Sequence, residues 1–275
     1  MEELKLKDFD TFVEWINANA TDGRFLFRGQ SDSSWELDTT LERFVNKKRV
    51  TIQEYYIKAF LTKFKIESYT DKKWNLIHPN DFEEWMIKSR GDSINFDNHF
   101  DIANNFYEKF GIEYLIYLRH FGFPSPLLDW TESPYVAAFF AYRNARANDV
   151  SVYVYQEYPK GTKSGMSGTP LINCLDPYAI IGPRRHYQQQ SHYTICCMLQ
   201  PNDQKEDSYY VSHQQVFSNG DNSQDALWKL NLPVSEKIKV LTYLNRYNLN
   251  AYSLFDSEES LCETMAFNEF LKPRN

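Results

Sequence analysis

Cysteine is scarce in this chain, with four among 275 residues, at positions 174, 196, 197 and 262. None forms a CxxC pair, so neither a disulfide scaffold nor a zinc site finds support. His120, His186 and His192 could suggest a metal or a proton shuttle, but no pair has the HxxxH spacing of a helical metal site, so they read first as structural or surface histidines and no metal is expected. Long apolar runs are missing too. No stretch approaches the roughly 18 apolar residues of a membrane-spanning helix, which excludes an integral helical membrane protein. The opening MEELKLKDFD alternates charge with apolar residues and has no secretory core, so the expected location is the cytoplasm. Positive charge is not in excess: 30 Lys and Arg against 37 Asp and Glu leave a net charge of −7. Proteins that coat nucleic acid nonspecifically carry the opposite sign, because phosphate neutralisation dominates that affinity. The basic clusters Lys47-Lys48-Arg49 and Arg184-Arg185-His186 read first as solvated surface.

What the chain does have is aromatic surface. Twenty Phe, 19 Tyr and 6 Trp make 16% of the residues, most of them needed as core. Tyrosine in such excess also suits a cleft that stacks flat ligands. The balance of 42% hydrophobic to 24% charged residues is that of a globular protein, not a disordered one. The length suffices for one large domain or two small ones. With no internal repeat and no low-complexity linker, one α+β domain with insertions is the simplest organisation.

Periodicity places the elements. Phe9, Phe12, Val13 and Ile16 share a stripe, predicting an amphipathic helix that Asp22-Gly23 breaks. Arg24-Phe-Leu-Phe-Arg-Gly reads as a short strand. Residues 46–110 are polar and helical in pattern, an expected helical insertion with Phe60, Phe64, Trp74, Trp85 and Phe106 as anchors. A helix over 111–121 stops at Gly122-Phe-Pro-Ser-Pro. Ser133-Pro134, a hydroxyl cap before proline, opens a buried helix to about Ala145. Val150-Ser-Val-Tyr-Val-Tyr alternates with period two and is a strand. Residues 157–175 read as loop, Tyr193 to Leu199 as strand, and 200–225 as a polar excursion. Trp228 to Pro233 is a short strand before a helix from Ser235 to Arg246. The tail from Ser257 to Leu271 is a helix expected to turn Leu261, Met265 and Phe270 inward.

Three islands carry unusual chemistry. The first is Phe27-Arg28-Gly29-Gln30, running on to Trp35 and Leu37. An arginine at the end of an apolar strand offers a rigid fork for phosphate or carboxylate, and Gly29 would let a ligand near the backbone. Equally, Arg28 could pair with an internal acid such as Asp129. The second island is His120-Phe-Gly with Leu127-Leu-Asp129-Trp130-Thr131-Glu132-Ser133 and Ala137-Ala-Phe-Phe-Ala. Asp129, set among apolar residues, requires a partner. The helix start at Ser133 suits either an anion or a simple capping turn. The third is Arg185-His-Tyr-Gln188-Gln189-Gln190-Ser191-His192-Tyr193-Thr194, where an amide could orient a nucleotide or form ordinary polar loop.

Together the islands resemble the FRG domain family, named for its Phe/Tyr-Arg-Gly motif. Ser253-Leu-Phe255-Asp256 is similar to that family's closing Leu-Phe-Pro-Asp segment, and the resemblance spans about residues 24–265. It implies a single FRG-type domain over 1–275. Pro124-Ser125-Pro126 stands where the family has Pro-Thr-Arg, so one basic side chain is missing. Gln189-Gln190-Ser191-His192 replaces Gln-Gln-Gly-Phe, and Asp256 lacks its preceding proline.

A weaker resemblance links the order of motifs to ADP-ribosyltransferases. It implies a small β core of that kind and NAD as a substrate. Arg28, Gly29 and Gln30 would bind NAD, Thr131 or Ser133 would brace it, Gln189 would hold the third motif position, and Trp130 or Tyr193 would stack on nicotinamide. A nearby negative or polar group would stabilise the sugar as the glycosidic bond breaks, and Asp129 or Glu132 would serve where an amide at position 189 cannot take the acceptor's proton. The implied role is a bacterial toxin or phage-defence effector that modifies a protein or nucleic-acid acceptor, with an antitoxin or other regulator as partner. No Glu-x-Glu or Gln-x-Glu signature is present, and an amide at position 189 impairs acceptor deprotonation. Two other readings stay open: a non-catalytic module that binds a nucleotide or partner, and a nuclease. The latter needs clustered carboxylates.

Overall fold

Alternation of apolar residues builds the middle of one mixed sheet. The computed structural model describes residues 1–21, 25–91, 111–146, 148–160, 169–175, 182–200, 206–218 and 224–272. The strands are β1 (Glu2–Lys5), β2 (Phe25–Gln30), β3 (Leu127–Thr131), β4 (Val150–Glu157), β5 (Pro170–Leu175), β6 (Ser191–Met198), β7 (Tyr209–Tyr210) and β8 (Asp225–Leu232). They lie in the order β1-β8-β4-β2-β3-β6-β5, with β7 beside β6. β1 runs parallel to β8, and the other pairs are antiparallel. The domain is α+β, as the sequence implies.

Helices cover both halves of the sheet. On one face, α1 (Phe9–Asn19), α6 (Pro134–Arg143), α9 (Lys237–Arg246) and α10 (Ala251–Phe255) bury Phe25, Phe27, Val150, Val152, Val154, Leu230 and Leu232. Asp8 caps α1 by accepting from the Thr11 N–H, and Ser133 caps α6 by accepting from Val136. Gly29 explains how closely α6 approaches β2. A Cβ there would sit 2.0 Å from the Ala137 carbonyl oxygen, so the helix backbone packs where a side chain would stand.

The other half is covered by α3 (Ile52–Thr70), α4 (Pro79–Gly91) and α5 (Ile112–His120), packed on Leu127, Tyr193, Ile195 and Cys197. The described residues of the 46–110 segment therefore supply part of this core. Tyr55, Tyr56 and Phe82 are its buried anchors, with Tyr56 stacked on Phe82 at 3.8 Å. Phe64 is 56% exposed, and Phe106 lies outside the described residues. On the opposite face of the sheet, Leu26, Leu128, Trp130, Tyr153 and Tyr155 meet Leu37, Val211 and Phe217.

Several elements differ from the sequence reading. Leu127–Thr131, to which the sequence reading gives no element, is a strand within the sheet. The end of the expected 157–175 loop is β5, and the polar excursion holds β7 and the short α8 (His213–Ser218). The tail forms α11 (Glu258–Ala266) and a π-turn, but Leu261, Met265 and Phe270 are exposed, Phe270 by 85%. That helix is held by polar contacts instead: Arg143 forks onto Glu263 at 2.7 Å through Nε, and Thr264 accepts from the Tyr252 N–H.

Candidate functional site

β2 hydrogen-bonds along six residues of β4 but pairs with β3 only at Phe27 and Thr131. Beyond that pair the two strands part. Arg28 sits at the opening, in register with Tyr153 on β4, and its Nη1 donates to the Asp129 carbonyl oxygen at 2.7 Å. The guanidinium does not pair directly with the Asp129 carboxylate. That carboxylate is held by Arg119, from the last turn of α5, at 2.6 Å. The Arg119 and Asp129 side chains are 17% and 36% exposed, so the pair lies at the mouth of the gap.

Positive charge outweighs negative here. Arg28 lies near Arg119 and Arg43, the latter on α2 (Thr40–Phe44), and burial lowers its pKa to about 10 against the pull of Asp129. Arg185, on the short helix α7 (Arg184–Gln188), donates to the His120 carbonyl and is held down by its own burial. Among the buried atoms left without a partner are Nε of Arg28, Nε of Arg119 and Oδ1 of Asp129. Two N–H groups and a carboxylate oxygen on these three neighbouring residues are thus buried without a partner. Such groups are rarely left unpaired inside a protein without a use.

Beside this spot stands an aromatic cluster that the sequence did not join. Tyr193 lies directly across from Asp129 in the β3–β6 ladder and is fully buried. Its hydroxyl meets His120 Nε2 at 2.7 Å and His186 Nδ1 at 3.1 Å. The Tyr193 ring stacks on His186 at 5.7 Å and 11°, so one of its faces is already taken. Burial, with the nearby Asp129, raises the Tyr193 pKa. Burial lowers that of His120 to about 4, helped by Arg185 and Arg119 and opposed by Asp129. His186 is lowered in the same way. Both rings are therefore neutral near pH 7.

The remaining motif residues are placed as follows. Thr131 Oγ1 donates to the Gln189 carbonyl at 2.6 Å and accepts from the Ser133 N–H at 3.1 Å, tying the second island to the third. The Gln189 carboxamide donates to the Leu254 carbonyl at 2.8 Å and is buried. Gln30 donates to the Glu36 carbonyl. Trp130 is 3% exposed, donates to Thr194 at 2.8 Å and packs against Tyr155, so its ring belongs to the core. Glu132 pairs with His192 at 2.5 Å, and Arg184 with Asp256 at 3.1 Å. Among the described residues, no three His, Cys, Asp or Glu side chains gather in a metal-binding group. No helix among them is long and apolar enough to cross a membrane.

Arg28, Asp129 and Tyr193 are thus neighbours, while Arg43, Arg119, His120, Arg185 and His186 join them without having been picked out as site residues. A visible signal existed for two of these: Arg119-His120 ends a helix buried from Tyr114 to Leu118, where two polar residues in succession must face something polar.

The FRG domain model matches residues 23–150, which takes in the first two islands and ends before the third. No curated protein matches the chain, and no solved structure does.

Proposed function

We propose, on the match of residues 23–150 to the FRG domain model, an NAD-consuming, ADP-ribosyltransferase-like enzyme. The observation that carries this reading is the surplus of arginine around one partly open carboxylate, with N–H groups left over on Arg28 and Arg119. A diphosphate is the ligand that suits such a surplus: two anionic groups accept from planar forks that have no other partner. Asp129 would stand near the sugar, where its free oxygen opposes positive charge that develops as the nicotinamide bond breaks. The setting would be a bacterial toxin or phage-defence effector working in the cytoplasm on a protein or nucleic-acid acceptor. That setting rests on analogy between families.

One observation favours a second reading. The Gln189 carboxamide is already engaged by the Leu254 carbonyl, so it is not free to orient a ribose. A module that binds a dinucleotide without transferring any part of it fits that bond better.

The test uses purified protein, labelled NAD and cell extract, following nicotinamide release and label on protein, RNA and DNA. Arg28→Ala and Arg28→Lys variants run beside it, with folding checked by circular dichroism and NAD affinity by calorimetry. Release and transfer that vanish in a folded Arg28 variant support the enzyme. Tight NAD binding without turnover supports the module. Absence of both binding and turnover sinks both readings.

A further inference from the structure

A transferase of the proposed kind needs a base to take the proton from its acceptor, and Gln189 cannot be one. We infer that His120 is that base, and that Tyr193 and His186 position it and carry the proton away. This rests on the proposed function for its substrate, but its geometry stands apart from it.

The Tyr193 hydroxyl has one proton and contacts a ring nitrogen on each side, at 2.7 Å and 3.1 Å. It donates to one imidazole and accepts from the other, so the two rings cannot choose their tautomers independently. Among the described residues, the hydrogen bonds of the two rings are those to Tyr193, which leave His120 Nδ1 and His186 Nε2 as the outer nitrogens. His120 follows directly on Arg119, the residue that holds Asp129, so it borders the anion site. Arg185 fixes its backbone by donating to the His120 carbonyl. The charged and titratable groups that face His120 are Asp129, Arg119, Arg185 and His186.

The step balances as a proton relay. The glycosidic C–N bond breaks with its electron pair leaving on nicotinamide, which becomes neutral. A lone pair of the acceptor, water in the simplest case, forms the new bond to the same carbon. The acceptor's proton goes to His120 Nδ1, the Nε2 proton passes to Tyr193 Oη, and the Tyr193 proton passes to His186 Nδ1. The proton on His186 Nε2 leaves to solvent. Both rings end neutral with exchanged tautomers, and one proton has been released overall. Burial, with Arg185 and Arg119 beside it, weakens His120 as a base, against the pull of Asp129. A bound diphosphate offsets those cations and strengthens it when substrate is present.

The experiment compares wild type, His120→Gln, Tyr193→Phe and His186→Gln for NAD affinity by calorimetry and for nicotinamide release against pH, with water as acceptor. His120→Gln is expected to bind NAD within about twofold of wild type and to lose roughly 100-fold in release, with the acid limb of its pH profile gone. Tyr193→Phe and His186→Gln are expected to lose about tenfold, each keeping an acid limb. A His120→Gln rate within about threefold of wild type, at unchanged affinity, overturns the assignment while leaving the transferase reading intact. A wild-type protein inert toward NAD overturns the transferase reading and the base with it. The relay itself has a readout free of NAD: nitrogen chemical shifts of the two rings report their tautomers. Tyr193→Phe is expected to shift the tautomer ratio of both rings together. Unchanged ratios would remove the relay whatever the enzyme assay gives.

Discussion

Replacing Asp129 by asparagine keeps the shape of the site and removes its one central negative charge. The carboxylate is 2.6 Å from Arg119, and its field also acts on Arg28, His120 and Arg185. Two unit charges about 4 Å apart attract by about 4 kcal/mol at the effective dielectric of a protein surface. Desolvation of both groups opposes that gain, and a carboxylate 36% exposed is screened by solvent. The expected loss lies between the ~0.5 kcal/mol of an open pair and the ~4 kcal/mol of breaking a buried one, near about 2 kcal/mol. For a chain of this size that is about 5 °C in melting temperature. The assay is thermal unfolding of wild type and Asp129→Asn at pH 7 and low salt, with and without inorganic pyrophosphate. Because the variant leaves its arginines less compensated, pyrophosphate should bind it about tenfold more tightly, or about 1.4 kcal/mol. Its melting temperature should recover most of the lost ground. A variant that melts at or above wild type without pyrophosphate, and gains nothing from it, would refute the electrostatic account of the site.

Two further outcomes follow from contacts already described. Gly29→Ala places a carbon 2.0 Å from the Ala137 oxygen and 2.5 Å from the Ala141 nitrogen, both rigid helix backbone. It should cost about 3 kcal/mol in urea unfolding, and a loss under about 0.5 kcal/mol would mean that α6 yields freely. His120 titrates near 4 when folded and near 6.5 when unfolded, so between those values the unfolded chain binds the extra proton. Stability therefore falls as pH drops from about 6.5 toward 4, by about 3 kcal/mol from this group. Measured as the difference between wild type and His120→Gln, that slope should appear in wild type alone. Parallel curves would show that His120 is not held neutral.

Much of the fold could be read from the sequence where β-branched and aromatic residues alternate without a charge among them. Val150–Glu157 faces two cores, Val150, Val152 and Val154 in one and Tyr153 and Tyr155 in the other, and that alternation declared the strand. In Leu127–Thr131, Leu127 faces one core while Leu128 and Trp130 face another, and Asp129 interrupts both. β3 is shorter than β4 and carries an acid at its centre, which breaks the apolar pattern that marks a strand. β5 was hidden similarly, because Pro170 and the Gly- and Ser-rich residues before it have the composition of a loop. The tail failed for the opposite reason. Its apolar stripe is real, but Arg143–Glu263 and the Asn250–Thr264 contacts hold the helix with Phe270 outward. The site was legible only in parts. Arg28 and Asp129 could be chosen by their apolar surroundings. That His120 meets Tyr193 across 73 residues depends on β3–β6 register, which no local pattern encodes.

The place where strands part also decides how Arg28 should be tested. Inside a sheet every backbone carbonyl needs a donor, and where β2 leaves β3 the neighbouring N–H groups are no longer there. Arg28 supplies one from its side chain, at 2.7 Å from the Asp129 oxygen. The same guanidinium leaves its Nε buried without a partner, the group that a bound anion would use under the dinucleotide reading. Structural and ligand-binding duties therefore fall on different nitrogens of one group. Arg28→Ala removes both and leaves a buried carbonyl short of a donor, a loss of about 1–3 kcal/mol that mixes unfolding with inactivity. Arg28→Lys separates them. A lysine ammonium can reach the carbonyl and retain the charge, but it has no planar fork to present a second, fixed N–H. Under the dinucleotide reading, this variant keeps its fold and its melting temperature within a few degrees, yet loses NAD affinity by tenfold or more. If instead Arg28 serves the sheet alone, lysine and arginine bind NAD equally well. Calorimetry on the two folded proteins then assigns the residue to the fold rather than to the ligand.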